Sequence, residues 1–148
     1  LMSDSVTVRV QVVGDAPVLP QYMTPGASGM DVRAAESVVL ESGDRAAVGT
    51  GLAVAVPRGW EIQIRPRSGL ALRNGVTVVN APGTIDSDYR GEIRILLVNL
   101  GREAYAVERG DRIAQMVLCP VGRVRWEPRD TLDATDRGEG GFGSTGVK

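Results

Sequence analysis

Hydrophobic and polar residues alternate with a period of two along Val6-Thr7-Val8-Arg9-Val10-Gln11-Val12, the pattern of a strand with one buried face. Shorter apolar runs follow at Val38–Leu40, Ala46–Gly49, Leu52–Val56, Trp60–Arg65, Val76–Val79, Ile93–Asn99, Tyr105–Val107, Ile113–Leu118 and Val121–Trp126. Turn-forming residues cut them apart, as in Glu41-Ser42-Gly43-Asp44 and Pro57-Arg58-Gly59, and Val alone supplies 21 positions. β-Branched runs at this spacing predict many short strands, hence an all-β sandwich or barrel. Only Ser68-Gly69-Leu70-Ala71-Leu72-Arg73 reads as helix, one or two turns long. Asn74-Gly75 ends it with residues that tolerate a positive φ.

Composition narrows what such a domain can do. The chain has 148 residues, enough for one domain with a real core, and a net charge of -1 with no basic surplus for general nucleic-acid binding. It has no His, which removes imidazole acid-base chemistry, the Ser-His-Asp triad and His-ligated zinc. Cys119 stands alone, so no intrachain disulfide forms, and it is expected to be a small buried hydrophobe. Catalysis must therefore use carboxylates, hydroxyls, Arg, backbone amides or an oxygen-bound metal. Of 17 basic residues all but Lys148 are Arg, whose planar fork suits phosphates and carboxylates, although a coding bias explains such an excess equally well. No basic start with an apolar run marks a secretory leader, and no apolar run reaches the ~18 residues of a membrane helix, so a cytoplasmic protein is expected. Leu1, ahead of Met2, is expected to be a cloning remnant.

The chain divides by composition into a β domain over 1–128 and a flexible, Gly-dense C-terminal arm over 129–148. Arg137-Gly138-Glu139-Gly140-Gly141-Phe142-Gly143-Ser144-Thr145-Gly146 cannot build a core. It is either a disordered tail or an arm whose backbone amides order on an anion, with Phe142 free to stack on a base. Four segments inside the β domain are also polar and Gly-marked. Pro66-Arg67-Ser68-Gly69 opens the helix, with Ser68 either its N-cap or part of an anion site. Asn80 through Glu92 is long for a hairpin connection and carries Asp86, Asp88 and Glu92. Ala27–Ala35 sets Asp31 among small residues, read on its own as a turn aspartate, and Gly110-Asp111-Arg112-Ile113-Ala114-Gln115 opens a strand. Arg and Ser donors, a carboxylate-rich hairpin and a glycine arm with one aromatic suit a phosphorylated, base-bearing substrate with a metal ion.

These five segments, in this order, resemble the motifs of the trimeric dUTP diphosphatase (dUTPase) family: Ala27–Ala35, Pro66–Gly69, Gly83–Ile93, Gly110–Gln115 and Arg137–Gly146. Departures are mild: Ser28 and Val32 in the first segment and Met116 after the fourth, none of them a group expected to do chemistry. The resemblance implies a jelly-roll-like subunit in a homotrimer, with three sites at subunit interfaces, each built from all three chains. It implies hydrolysis of dUTP to dUMP and pyrophosphate with Mg²⁺ on the triphosphate, which keeps uracil out of DNA and supplies dUMP for thymidylate synthesis. By the same resemblance Asp86 holds and deprotonates the attacking water, and Asp31 meets the metal through water only. Arg67, Ser68, Gly69 and Gln115 serve the phosphates. Asn80 and the backbone of Thr84, Ile85 and Asp86 read uracil. Tyr89 lies under the deoxyribose and excludes a 2′-hydroxyl, and Arg94 contacts substrate. Arg137 meets the γ-phosphate, Phe142 stacks on uracil, and Gly143, Ser144 and Thr145 close over the triphosphate, the arm coming from a neighbouring subunit. No membrane or nucleic-acid partner is expected.

Two other readings share the fold. A dCTP deaminase-like enzyme would need a catalytic Glu and would lack the stacking arm. A dUTP-gated trimeric regulatory protein would keep the pocket and use the nucleotide as a switch.

Overall fold

The structure is a computed structural model that describes residues 5–15 and 18–148, so Leu1 lies outside the described residues. The Val-rich runs form strands because each pairs with a run distant in sequence, and strands such as β6 bury alternate side chains. In chain order these are β1 (Arg9–Val12), β2 (Met30–Arg33), β3 (Val38–Leu40), β4 (Arg45–Gly49), β5 (Leu52–Ala55), β6 (Trp60–Arg65), the helix α1 (Ser68–Asn74), β7 (Val76–Val78), β8 (Gly83–Ile85), β9 (Arg94–Asn99), β10 (Tyr105–Val107) and β11 (Arg112–Pro120). All pairings are antiparallel, in a four-stranded sheet β2-β11-β6-β8, a three-stranded sheet β4-β9-β7 and the pairs β1-β5 and β3-β10. The all-β, jelly-roll expectation holds.

Side chains from these sheets meet in one core that includes Val32, Leu40, Val48, Ile64, Ile95, Leu97, Val107, Ile113 and Met116. Two polar side chains are buried with them, Thr50, whose hydroxyl donates to the Ile93 carbonyl (2.7 Å), and Asn99. Asn99 is fully buried; its amide donates to the carbonyls of Leu40 (2.9 Å) and Glu103 (2.8 Å), and its oxygen accepts from the Gly101 amide (2.9 Å). Asn99→Ala strands two carbonyls and an amide, a cost of about 3 kcal/mol. The melting temperature is expected to fall by roughly 10 °C in a thermal scan; a drop under about 2 °C would mean that solvent replaces the amide. The helix ends as expected at Gly75, whose φ of 69° is left-handed and whose absent Cβ would lie 2.6 Å from the Gly101 nitrogen.

Four expectations fail. The N-terminal strand starts only at Arg9 and is exposed throughout, because β1 pairs with β5 alone and no layer covers it. Val6, Val8 and Val10 instead line an open apolar groove of about 670 Å³ with Leu52, Val54, Met116 and Leu118. Val121–Trp126 forms no strand: the Val121 amide donates to the Gly59 carbonyl (2.9 Å), but among the described residues no strand pairs with the rest, and Val124 and Trp126 are exposed. Cys119 is half-buried rather than buried, its Sγ 3.9 Å from Arg65 Nη2. Asp31, read as a turn aspartate, sits within β2, because Met30–Arg33 finds β11 some eighty residues later. Among the described residues, no helix is long and apolar enough to cross a membrane.

Candidate active site

Register in the four-stranded sheet sets where the polar motifs go. Met30, Met116, Ile64 and Gly83 form one row across it, and Asp31, Gln115 and Arg65 form the next. Two polar patches grow from these rows.

The first lies beside β8. Gly83 and Ile85 are buried and Thr84 is exposed, and β8 is the end strand of its sheet, with one backbone edge that no other strand of the described residues pairs. The chain then turns: the Tyr89 amide donates to the Asp86 carbonyl (3.2 Å), Arg90 Nη1 donates to the carbonyls of Ser87 (2.7 Å) and Tyr89 (2.9 Å), and Tyr89 Oη donates to the Glu92 carbonyl (2.9 Å). This turn and the start of β9 enclose a cavity of about 220 Å³. Asn80, Thr84, Ile85, Asp86, Tyr89 and Arg94, all singled out from sequence, line it together. Asn80 packs against the buried Gly83, where a Cβ would meet Asn80 Nδ2 at 3.3 Å. Sequence reasoning missed Ile64, Leu96 and the pocket role of Glu92. Leu96 was findable, because it lies two residues from Arg94 on the same face of β9. Glu92 Oε2 is buried without a hydrogen bond, 3.7 Å from Arg94 Nε.

The second patch is cationic. Asp31, its side chain 12% exposed, accepts from Arg112 Nη1 at 3.1 Å and lies 3.9 Å from Arg67 Nε. Arg67 Nη1 donates to the Arg112 carbonyl at 3.0 Å, so the Arg67 fork is held at both ends. Two guanidinium groups on one carboxylate leave a surplus positive charge, which suits an anion. Sequence reasoning missed Arg112. Its orientation depends on the register shift between Arg112 and Ala114, which no local pattern announces. Gln115 stands beside Asp31 in the row and packs on Gly29, where a Cβ would meet Gln115 Oε1 at 2.7 Å. Ser68 does not cap α1. Arg67 holds that position and makes no side-chain capping bond, so the first amides of the helix have no side-chain cap. Near this patch burial raises the Tyr105 pKa above the usual tyrosine value, and Asp111 adds to the rise against Arg67 and Arg73.

The two patches do not share a cavity. Asp86 follows Ile85, which pairs with Ile62. From Ile62 to Arg65 is about 10 Å along β6 at ~3.3 Å per residue, and Arg67 lies beyond. The C-terminal residues reach neither patch. Arg137 Nε donates to the Gly140 carbonyl (2.7 Å), Gly138 N to Thr135 Oγ1 (3.0 Å), Ser144 N to the Gly141 carbonyl (3.0 Å) and Gly146 N to the Gly143 carbonyl (2.9 Å), all within the arm. Phe142 is fully exposed at φ 51°, and Gly143, Ser144 and Thr145 are exposed beside it.

The chain is similar to known proteins in both sequence and fold. The family model described as dUTPase matches residues 16–146. The chain is 58% identical over 131 residues to the deoxyuridine 5'-triphosphate nucleotidohydrolase of Desulfotalea psychrophila, covering 87% of each chain. It is 52% identical over 142 residues to the enzyme of the same name from Fusobacterium nucleatum, covering 94% of this chain and 97% of that one. Among solved structures, Staphylococcus bacteriophage 80alpha dUTPase with dUPNHPP superposes with a TM-score of 0.87 at 27% identity, over 97% of this chain and 100% of that one. At such identity over nearly the full length of both partners, this chain belongs to the dUTPase family.

Proposed function

We propose that this protein hydrolyses dUTP to dUMP and pyrophosphate. One observation carries the reading: the free edge of β8 and the Asp86–Tyr89 turn face a single small cavity. Its volume falls below the ~300 Å³ lower end for drug-sized ligands, which suits one pyrimidine ring with the rest of the nucleotide outside. Backbone groups of residues 84–86 that the β6–β8 ladder leaves free, with Asn80, read the uracil edge. Cytosine reverses donor and acceptor there and leaves polar groups unpaired, a strong basis for rejection. Tyr89 lies under the deoxyribose, and Arg94 borders the substrate.

Asp86 orients a water in line with the α-phosphorus and takes its proton. The water oxygen bonds to phosphorus as the bond to the bridging oxygen breaks, and the β,γ-diphosphate departs. Arg67, Ser68, Gly69 and Gln115 bind the phosphates, with Asp31 and Arg112 holding Arg67 in place. Mg²⁺ carried by the triphosphate would neutralise charge on the leaving diphosphate, and Asp31 would meet it through water. The donor set fits such an ion. Asp31 keeps carboxylate lone pairs free for metal-bound water beside its bond to Arg112.

The separation of the two patches supports a homotrimer in which the uracil pocket of one subunit faces the phosphate patch of the next. The exposed Val124 and Trp126 support contact with a neighbour, and the arm over 129–148, distinct from the β domain over 1–128, supports a lid lent by it. In this role the protein acts in the cytoplasm, keeps uracil out of DNA and supplies dUMP for thymidylate synthesis.

Steady-state assays with dUTP, dTTP, dCTP and UTP test the reading. Pyrophosphate is expected from dUTP at least about 10²-fold faster than from the other three, and chelation of magnesium is expected to slow it. Ammonia from dCTP would select the deaminase reading, and binding of dUTP without turnover the regulatory one.

A further inference from the structure

We infer that Gly91 determines sugar specificity, because the volume its missing side chain would fill is taken by the ring of Tyr89. The inference rests on the reading above that Tyr89 lies under the deoxyribose. A Cβ built on Gly91 falls onto the Tyr89 hydroxyl, 2.7 Å from Cζ and 3.0 Å from Cε1. Real Cβ atoms do not approach other heavy atoms so closely, so the ring would have to move. The backbone gives no other reason for glycine here. Gly91 is absent from the positive-φ glycines, so no left-handed conformation reserves the position for glycine.

The ring is also free to move. Tyr89 is 45% exposed, and its hydroxyl has one hydrogen bond, donated to the Glu92 carbonyl at 2.9 Å. Residues 89–92 thus form a small loop that the phenol closes across the Gly91 Cα. A methyl group at position 91 breaks that closure and swings the ring outward. The displacement costs the fold little, because the ring is not part of the core. Its effect falls on the nucleotide. Ribose and deoxyribose differ by one hydroxyl, and a steric barrier against it works only while the ring surface stays within a fraction of an ångström of its place. Gly91 is therefore a positioning residue that acts through Tyr89 and touches no substrate.

The test compares wild type, Gly91→Ala, Tyr89→Ala and the double variant, measuring kcat and KM for dUTP and for UTP with circular dichroism on each. Gly91→Ala is expected to lower the ratio of kcat/KM for dUTP over UTP about tenfold at unchanged secondary structure. In the Tyr89→Ala background the same substitution is expected to change that ratio less than twofold, since the clash is gone. A wild-type ratio in Gly91→Ala overturns the inference, as does a further large change in the double variant. If Gly91→Ala fails to fold, the double variant should fold, and its failure to do so also overturns the inference. Wild-type discrimination in Tyr89→Ala would instead sink the underlying reading of Tyr89 as the sugar gate.

Discussion

Asp86→Asn is expected to bind dUTP as wild type does and to turn it over about 10³-fold more slowly. The amide matches the carboxylate in size and shape and can still hold a water by one hydrogen bond. It cannot accept the proton as the water attacks, and general-base contributions of this kind are worth ~10²–10⁴ in rate. The side chain lies on an exposed turn held by the Tyr89 amide and the Arg90 guanidinium, so the substitution leaves the loop intact. Calorimetric titration with a non-hydrolysable analogue separates binding from turnover measured by pyrophosphate release. Near-normal turnover would reject Asp86 as the base. Loss of binding together with turnover would make it a structural residue of the pocket.

Removing residues 137–148 should cut turnover by roughly 10²-fold or more while the oligomer stays intact. The deletion takes away the Arg137 charge, the Phe142 ring and the amides of Gly143, Ser144 and Thr145, all assigned to the closed complex. It takes nothing from the core, because the hydrogen bonds of this segment run within the arm and its residues stand in solvent. KM and kcat from steady-state assays, with molecular mass from light scattering, decide the matter. A fall in mass would mean that the segment is part of the architecture and no lid. Unchanged kcat would mean that the site closes without it.

Local pattern and tertiary pairing divide the rest of the molecule between them. The period-two run of Trp60–Arg65 is β6, and the short helix and its glycine stop stand where the residues place them, because amphipathic alternation and a left-handed C-terminal glycine are local requirements. Met30–Arg33 and Gly83–Ile85 were not legible as strands. Each is three or four residues long, and Gly83 has no side chain to show a pattern; both exist because β11 and β6 offer them partners far away in the chain. The same logic removes the expected strand at Val121–Trp126: among the described residues no strand pairs with it, and apolar residues without a ladder are not a strand.

The candidate site splits along the same line. Sequence alone determined which chemical groups are available: no imidazole, one thiol, and five polar, Gly-marked segments that hold Asp31, Arg67, Asp86, Tyr89 and the arm. The tertiary structure decided which of them meet. Non-local pairing gathers Asn80, Thr84, Asp86, Tyr89 and Arg94 around one cavity, sets Arg112 between Asp31 and Arg67, and keeps the two groups about a strand's length apart. It did so because hydrogen-bond register between distant strands is chosen by burial of the whole core, a sum over many residues that no single segment carries.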